Sequence, residues 1–147
     1  AAQTGAKVGG GDTMMCEAFY QYGLALGNAF QIMDDALDYG ASVSQIGKDL
    51  GDDFSEMKIT LPIILAWKDS SNKEREFWKR TLHKGDQREG DFQQAQLIID
   101  KHGCIERSLN FATAEVKKAT NSISVIEESM LKDALIEAAE FSALRDS

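Results

Sequence analysis

Residues 27–39 read Gly-Asn-Ala-Phe-Gln-Ile-Met-Asp-Asp-Ala-Leu-Asp-Tyr, and this is the most informative stretch of the chain. Asp34, Asp35 and Asp38 lie within an apolar pattern of helical spacing. Residues three or four apart share a helix face, with Cβ atoms about 5–6 Å apart, so the three carboxylates are expected to lie close together. Their mutual repulsion is tolerable where a cation binds. Carboxylates without a rigid cage suit Mg²⁺, which keeps several waters and shares its coordination with substrate phosphates.

An acidic triplet on a helix often forms only a solvated face, and this alternative stays open for a bare Asp-Asp-x-x-Asp pattern. The neighbouring residues argue against it. Phe30, Ile32, Met33 and Leu37 surround the acids, so this part of the helix is not polar throughout.

A loop with complementary charges follows the acidic helix, between Gly40 and Lys58. Its lysines, Lys48 and Lys58, could reach an anion beside the acids. Three carboxylates of this loop could form a second acidic motif, namely Asp52, Asp53 and Glu56. We favour the interpretation that they are solvated side chains that also hold the lysines in place. The patterns of an EF-hand and of a P-loop are both absent.

Taken in order, these motifs resemble the second aspartate-rich region of the trans-isoprenyl diphosphate synthases, most closely the bacterial octaprenyl and decaprenyl branch. The motifs are Gly27-x-x-Phe30-Gln31-x-x-Asp34-Asp35-x-x-Asp38, Gly47-Lys48-Asp49 and Lys58-x-Thr60-Leu61-Pro62. Residues 134–145 also resemble the C-terminal helix of that family. The resemblance extends over the whole chain, but it corresponds to the C-terminal half of the family only.

The resemblance implies an all-α fold: a helical bundle of the isoprenoid synthase type, present here as its second half. We therefore expect residues 1–147 to form a single partial domain. Nothing in the chain matches the first aspartate-rich motif of the family or the Lys-Thr pair that precedes the second half, and residue 1 is not Met. We expect the chain to be a fragment that begins within a helix and that needs the missing N-terminal half as its partner.

The function implied by the resemblance is prenyl transfer, the Mg²⁺-dependent condensation of an allylic diphosphate with isopentenyl diphosphate to give a longer polyprenyl diphosphate. The diphosphate leaves, an allylic cation forms, the double bond of isopentenyl diphosphate attacks, and a proton is lost. Preplaced cations would stabilise the charge that develops on the leaving group. We expect little activity from this chain alone. The alternative is a non-catalytic helical partner or regulatory subunit that keeps the fold.

The resemblance also implies roles for individual residues. Asp34 and Asp35 would be Mg²⁺ ligands, and Asp38 would be a ligand or an acid that supports them. Lys48 and Lys58 would contact the allylic diphosphate.

Two further positions follow from the same resemblance. Phe30 and Gln31 would line the cavity near the reacting carbons. The family usually has Gly immediately before the second lysine, where this chain has Met57, so the placement of Lys58 is open to question.

Composition limits the remaining possibilities. A net charge of −8 disfavours nonspecific binding to nucleic acid or to an anionic membrane, because both need a basic surface. Cys16 and Cys104 are isolated, which argues against a zinc site and fits a reducing compartment. The sequence shows neither a signal peptide nor a run of about 20 apolar residues. We expect a cytoplasmic protein that forms homo-oligomers through uncovered apolar faces.

The apolar spacing and the capping residues predict five or six helices, in addition to the end of a helix at residues 1–8. The first is a long helix, capped by Asp12 or Thr13, that runs to about Tyr39. A short helix follows from Thr60 to about Asp69 and is expected to bury Ile63, Ile64 and Leu65. Two more helices run from Asn72 to about Lys84 and, with Asp91 as its cap, from Asp91 to Gly103. An apolar seam then runs from Ile105 to Ile126. The seam has a period of about 3.5, and we favour packing within the chain over a coiled coil with a partner. Leu131, Leu135, Ala138 and Leu144 mark the last helix.

Overall fold

The computed structural model describes residues 1–40 and 50–143, and the regular structure in these ranges is entirely helical, as predicted. The α-helices are α1 (Ala2–Val8), α2 (Thr13–Leu37), α3 (Asp52–Ser55), α4 (Leu61–Asp69), α5 (Asn72–Trp78), α6 (Asp91–Lys101), α7 (Cys104–Ser122) and α8 (Met130–Ala143). A π-helical turn, Lys79–His83, continues α5. Within the described ranges, no helix is long and apolar enough to cross a membrane.

The chain divides into two compact units. The first comprises residues 1–31 and the chain from Asn110 onward, and the second lies within Ile32–Leu109. Helices α2 and α7 each contribute residues to both units.

The core of the first unit forms where small residues let α2, α7 and α8 approach closely. Its buried members are Tyr22, Ala25, Ala29, Val116, Ala119, Ile123 and Ala139. The Tyr22 hydroxyl donates to the carbonyl oxygen of Leu135 at 2.8 Å, so its one polar group is satisfied. The middle of the predicted seam is thus buried within the chain, which confirms the interpretation that we favoured.

A buried lysine fixes the connection between α7 and α8. Lys132 is only 6% exposed, and its ammonium group donates to the carbonyl oxygens of Ser124 and Ile126 and to the carboxylate of Glu128. The two carbonyls belong to the segment between α7 and α8, so Lys132 joins this connection to the first turn of α8. The apolar spacing of this helix did not reveal that role.

The core of the second unit joins the end of α2 to α3, α4, α5 and α6. Its largest members are aromatic or β-branched: Tyr39, Phe54, Ile63, Trp78, Ile98 and Ile99. The Trp78 indole N–H donates to Ser70 Oγ at 3.1 Å, and that hydroxyl donates to the Ala66 carbonyl at 2.7 Å. Tryptophan can be buried here because its single donor has a partner.

Two helix ends lie where the sequence placed them. The Asp12 carboxylate accepts from the N–H of Met15 at 2.8 Å and caps α2, as predicted. Helix α4 begins after Thr60 and ends at Asp69, as predicted, with Pro62 in its first turn, but the Thr60 side chain, expected to cap it, makes no capping hydrogen bond.

Other local predictions were wrong. Helix α2, predicted to run to about Tyr39, ends at Leu37, and hydrogen-bonded turns follow it to Gly40. Ile64, expected to be buried, is 50% exposed. Asp91 does not cap α6; Gly90 occupies that position, and Asp91 instead accepts two hydrogen bonds from the Arg80 guanidinium at 2.7 and 2.8 Å.

Glu74 links the start of α5 to the end of α6. Its carboxylate accepts from the N–H and hydroxyl of Ser71 at 2.7 Å, which completes a capping box, and from Lys101 at 2.8 Å. The Lys101 ammonium and the Ser71 donors lower the pKa of Glu74 to about 2. The His102 Nε2 atom lies 3.4 Å from the same carboxylate.

The low pKa of Glu74 predicts an acid-dependent contribution to stability. Because its pKa is lowered in the folded state, the contribution is present above the unfolded value of 4.5 and is lost as the pH falls towards 2. The difference in unfolding free energy between the parent and Glu74→Gln should therefore be largest near neutral pH and shrink below pH 4.5, measured by urea unfolding at several pH values. The matched control is Glu76→Gln, whose side chain is 73% exposed and should give a smaller difference. A difference for Glu74→Gln that does not change with pH would contradict the prediction.

Replacing Lys132 by Met should lower the free energy of unfolding by about 1–3 kcal/mol, because the carbonyls it satisfies lose their donor. Urea unfolding followed by circular dichroism measures the change. Lys118→Met is the matched control: Lys118 is 68% exposed and pairs only with Glu115 among the described residues, so its replacement should change stability by about 0.5 kcal/mol or less. Equal effects of the two substitutions would show that Lys132 does not have this role.

Candidate functional site

The acidic residues lie at and just beyond the end of α2, in the second unit. Asp34 is exposed, Asp35 is 9% exposed, and Asp38 follows the last helical residue. The N–H of Asp38 still donates to the Asp34 carbonyl at 3.2 Å, so the main chain continues the helical turn. Phe30 and Gln31 belong to the first unit, and both are exposed.

The half-buried carboxylate of Asp38 binds the backbone of the segment that follows the loop. Its Oδ1 accepts from the N–H of Gly51 at 3.2 Å, and its Oδ2 accepts from the N–H of Asp53 at 3.0 Å. These N–H groups belong to the start of α3, which has no side-chain cap of its own. Burial raises the pKa of Asp38, and the hydrogen bond from Asp53 opposes this shift.

Lys58 is held by two of the loop carboxylates. Its ammonium lies 2.9 Å from Asp53 Oδ1 and 2.7 Å from Glu56 Oε2, and its backbone N–H donates to the Asp53 carbonyl at 2.9 Å. Glu56 and Asp53 raise the pKa of Lys58, so the ammonium stays charged. For Asp53 and Glu56, this confirms that the loop acids hold a lysine. Lys48 lies outside the described residues.

An aromatic cluster of Tyr39, Phe54 and Phe92 packs beside the segment that begins at Gly51. The ring of Phe92 has its centroid 6.0 Å from those of Tyr39 and Phe54. Gly51 adopts φ 89°, and a Cβ atom there would lie 2.8 Å from the Phe92 ring, so glycine is required on both grounds. Gln87 donates to the Phe54 carbonyl at 2.7 Å. Sequence analysis missed the cluster, although Phe54 stands out as an apolar residue in an acidic loop.

Two buried hydroxyls lie beside the acidic turn. The hydroxyl oxygens of Tyr39 and Thr60 are buried, and neither has a hydrogen bond of normal geometry among the described residues. Burial raises the pKa of Tyr39, and the nearby charge of Asp38 adds to this effect. The Tyr39 hydroxyl is therefore neutral.

Met57, which replaces the glycine usual in the family, adopts the left-handed conformation with φ 58°. Its side chain covers Gly85, with the sulfur 3.1 Å from where a Cβ atom of Gly85 would lie. The backbone turn before Lys58 is thus one that favours glycine, but this chain makes it with a methionine.

The carboxylates can be tested against the chemistry of Mg²⁺. Within the described residues, no group of three or more His, Cys, Asp or Glu side chains forms a ready-made metal cage. Mg²⁺ does not need one, because it is commonly bound by one or two carboxylates, waters and substrate phosphates. Asp34 supplies an exposed carboxylate and Asp35 a nearly buried one at the same end of α2, so the donor chemistry present suits this ion.

Replacing Met57 by Gly should raise the free energy of unfolding by about 0.5–1 kcal/mol, because relief of left-handed strain outweighs the added entropy of the unfolded chain. The same substitution at Met14, in the first turn of α2 and 60% exposed, should lower stability, because glycine is a poor helix former. Denaturant unfolding of the two variants measures both signs. A loss of stability in Met57→Gly similar to that in Met14→Gly would contradict the prediction.

Comparisons with known proteins agree with this geometry. The polyprenyl synthetase family profile matches residues 1–99. The octaprenyl diphosphate synthase of Haemophilus influenzae is 35% identical over 146 residues, which are 99% of this chain and 44% of that protein. The decaprenyl diphosphate synthase structure from Rhodobacter capsulatus superimposes with a TM-score of 0.90 at 38% identity, covering 97% of this chain and 44% of that one.

A polyprenyl synthase from Caulobacter crescentus, solved with calcium and isoprenyl diphosphate, gives a TM-score of 0.88 at 39% identity, covering 99% of this chain and 44% of that one. The chain therefore spans less than half the length of these relatives, and the bundle it forms is the second half of the isoprenyl synthase fold. The predicted resemblance is confirmed: the chain belongs to the polyprenyl synthetase family.

Proposed function

We propose that the protein containing this chain transfers prenyl groups, condensing an allylic diphosphate with isopentenyl diphosphate to give a longer polyprenyl diphosphate. The observation that carries the proposal is the pairing of oxygen donors at the end of α2 with a fixed, charged lysine in the same unit. The names of the relatives support it, since octaprenyl and decaprenyl diphosphate synthases make products of this class.

We assign the diphosphate to the acidic end of α2. The Caulobacter crescentus relative was solved with calcium and isoprenyl diphosphate, which supports a divalent ion and a diphosphate as joint ligands. Asp34 and Asp35 would hold Mg²⁺, which would neutralise the diphosphate and make it a better leaving group. Lys58 would bind the diphosphate as a point charge. The role of Lys48 in the same task remains a prediction from sequence.

The chain's own residues favour departure of the leaving group. Negative charge grows on the diphosphate as its bond to the prenyl carbon breaks, so a fixed ammonium stabilises the transition state more than the ground state. Lys58 can serve in this way because Asp53 and Glu56 hold an ammonium group that is charged at neutral pH. Phe30 and Gln31 are assigned to the prenyl portion of the substrate by resemblance.

A second candidate is a non-catalytic partner or regulatory subunit with the same fold. The strained Met57 beside Lys58 favours it, because a catalytic loop would gain from the glycine usual in the family. Assembly into homo-oligomers and a cytoplasmic location remain expectations under either candidate.

Diphosphate binding separates the two candidates. Isothermal titration of inorganic pyrophosphate into the chain should show binding that requires Mg²⁺ and is lost in Asp34→Ala, because that variant removes a carboxylate proposed to hold the ion. Asp100→Ala, which removes an exposed carboxylate from α6, is the matched control and should bind as the parent does. Full binding by Asp34→Ala would exclude Asp34 as a metal ligand. No binding at any Mg²⁺ concentration by the whole protein that contains this chain would favour the non-catalytic candidate.

A further inference from the structure

The third aspartate of the motif, Asp38, uses its side chain to bind the protein backbone. Both carboxylate oxygens of Asp38 accept backbone hydrogen bonds, from Gly51 and from Asp53. These donors lie 13 and 15 residues further along the chain, so the contact joins the end of α2 to the start of α3 across the loop. Each oxygen keeps a second lone pair, but the two hydrogen bonds fix the orientation of the carboxylate towards the backbone at the start of α3.

The segment that Asp38 holds is short and depends on outside contacts. Helix α3 has only four residues, and no side chain within it caps its N-terminus. A carboxylate at a helix N-terminus satisfies unpaired N–H groups and interacts favourably with the helix dipole. Asp38 supplies this cap from the turn that follows α2, and Gly51 lies close to the Phe92 ring.

The held segment in turn holds Lys58. Asp53 donates its N–H to Asp38, accepts the Lys58 backbone N–H with its carbonyl, and binds the Lys58 ammonium with its carboxylate. The Asp53 side chain is only 16% exposed, whereas that of Lys58 is 55% exposed. The ammonium is therefore anchored through a nearly buried acid and still reaches solvent, where an anion can meet it.

We propose that Asp38 is a positioning residue that fixes the turn at Gly51–Asp53 and, through Asp53, places the Lys58 ammonium for the diphosphate, and that it does not ligate the metal ion. This inference rests on the function proposed above for Lys58. Under this proposal two of the three aspartates bind the metal ion, and the third positions the ammonium group of Lys58.

The first test measures the Mg²⁺ requirement for binding inorganic pyrophosphate by isothermal titration. In Asp38→Asn the amide cannot accept both backbone hydrogen bonds, so affinity for pyrophosphate should fall by roughly three- to tenfold, as expected for one misplaced charge-assisted contact. The Mg²⁺ concentration that gives half-maximal binding should not change. An increased Mg²⁺ requirement in Asp38→Asn would identify Asp38 as a ligand and overturn the proposal.

Coupling between variants tests the path through Asp53. The losses of pyrophosphate affinity in Lys58→Met and Asp38→Asn should be non-additive, because the first removes the Lys58 ammonium and the second removes its correct placement. Asp53→Asn leaves the backbone contact to Asp38 intact but weakens the hold on Lys58, and it should lose affinity without a change in Mg²⁺ requirement. Additive losses in the double variant, or an Asp53→Asn variant that binds as tightly as the parent, would overturn the proposed path.

Amide hydrogen exchange tests, without any ligand, whether Asp38 holds the turn at Gly51–Asp53. Protection of the Gly51 and Asp53 N–H groups should fall in Asp38→Asn and stay unchanged in Asp34→Ala, and NMR relaxation should show a more mobile Lys58 side chain in Asp38→Asn only. Unchanged protection in Asp38→Asn would overturn the proposal. If protection falls as expected but the parent protein binds no pyrophosphate, then the proposed function fails and the structural role of Asp38 stands.

Discussion

The hydrogen bonds from the backbone of Gly51 and Asp53 to the carboxylate of Asp38 are the contact on which the candidate site depends. The acids and Lys58 are about 20 residues apart in sequence, and a loop of such length has a considerable entropic cost of closure. The Asp38 contact and the aromatic packing below it offset this cost. They bring Lys58, with the two carboxylates that bind it, to the end of the acidic helix.

The same contact lies at the end of α2. The Asp38 N–H still donates to the Asp34 carbonyl, so Asp38 continues the helical turn while its carboxylate binds the start of α3. The helix ends at Leu37, and Tyr39 packs against Phe92 in the core. The apolar periodicity near Tyr39 reports burial in the core correctly, but it does not distinguish a helical residue from one in the turn after it.

The parts of the structure that could be predicted from sequence are those specified by local chemistry. Asp12 caps α2 and Pro62 lies in the first turn of α4, because capping and proline geometry depend on only a few neighbouring residues. The parts that could not be predicted depend on contacts distant in sequence. Asp91 has the residue type of a cap but binds Arg80, and Lys132 lies in an apolar helix but is satisfied by carbonyls beyond the preceding helix.

The candidate site follows the same division. The motif Asp34-Asp35-x-x-Asp38 located the acids, and the spacing to Lys58 located the cation, but spacing alone made the three aspartates equivalent. Their environments are not equivalent, since Asp34 is exposed, Asp35 is almost buried and Asp38 serves the backbone of a distant segment. Repulsion among three carboxylates is easier to tolerate when one of them faces backbone N–H groups, because these donors stabilise its charge as a cation would. Under the proposal above, the motif comprises two candidate metal ligands and one acid that binds the backbone of a distant segment.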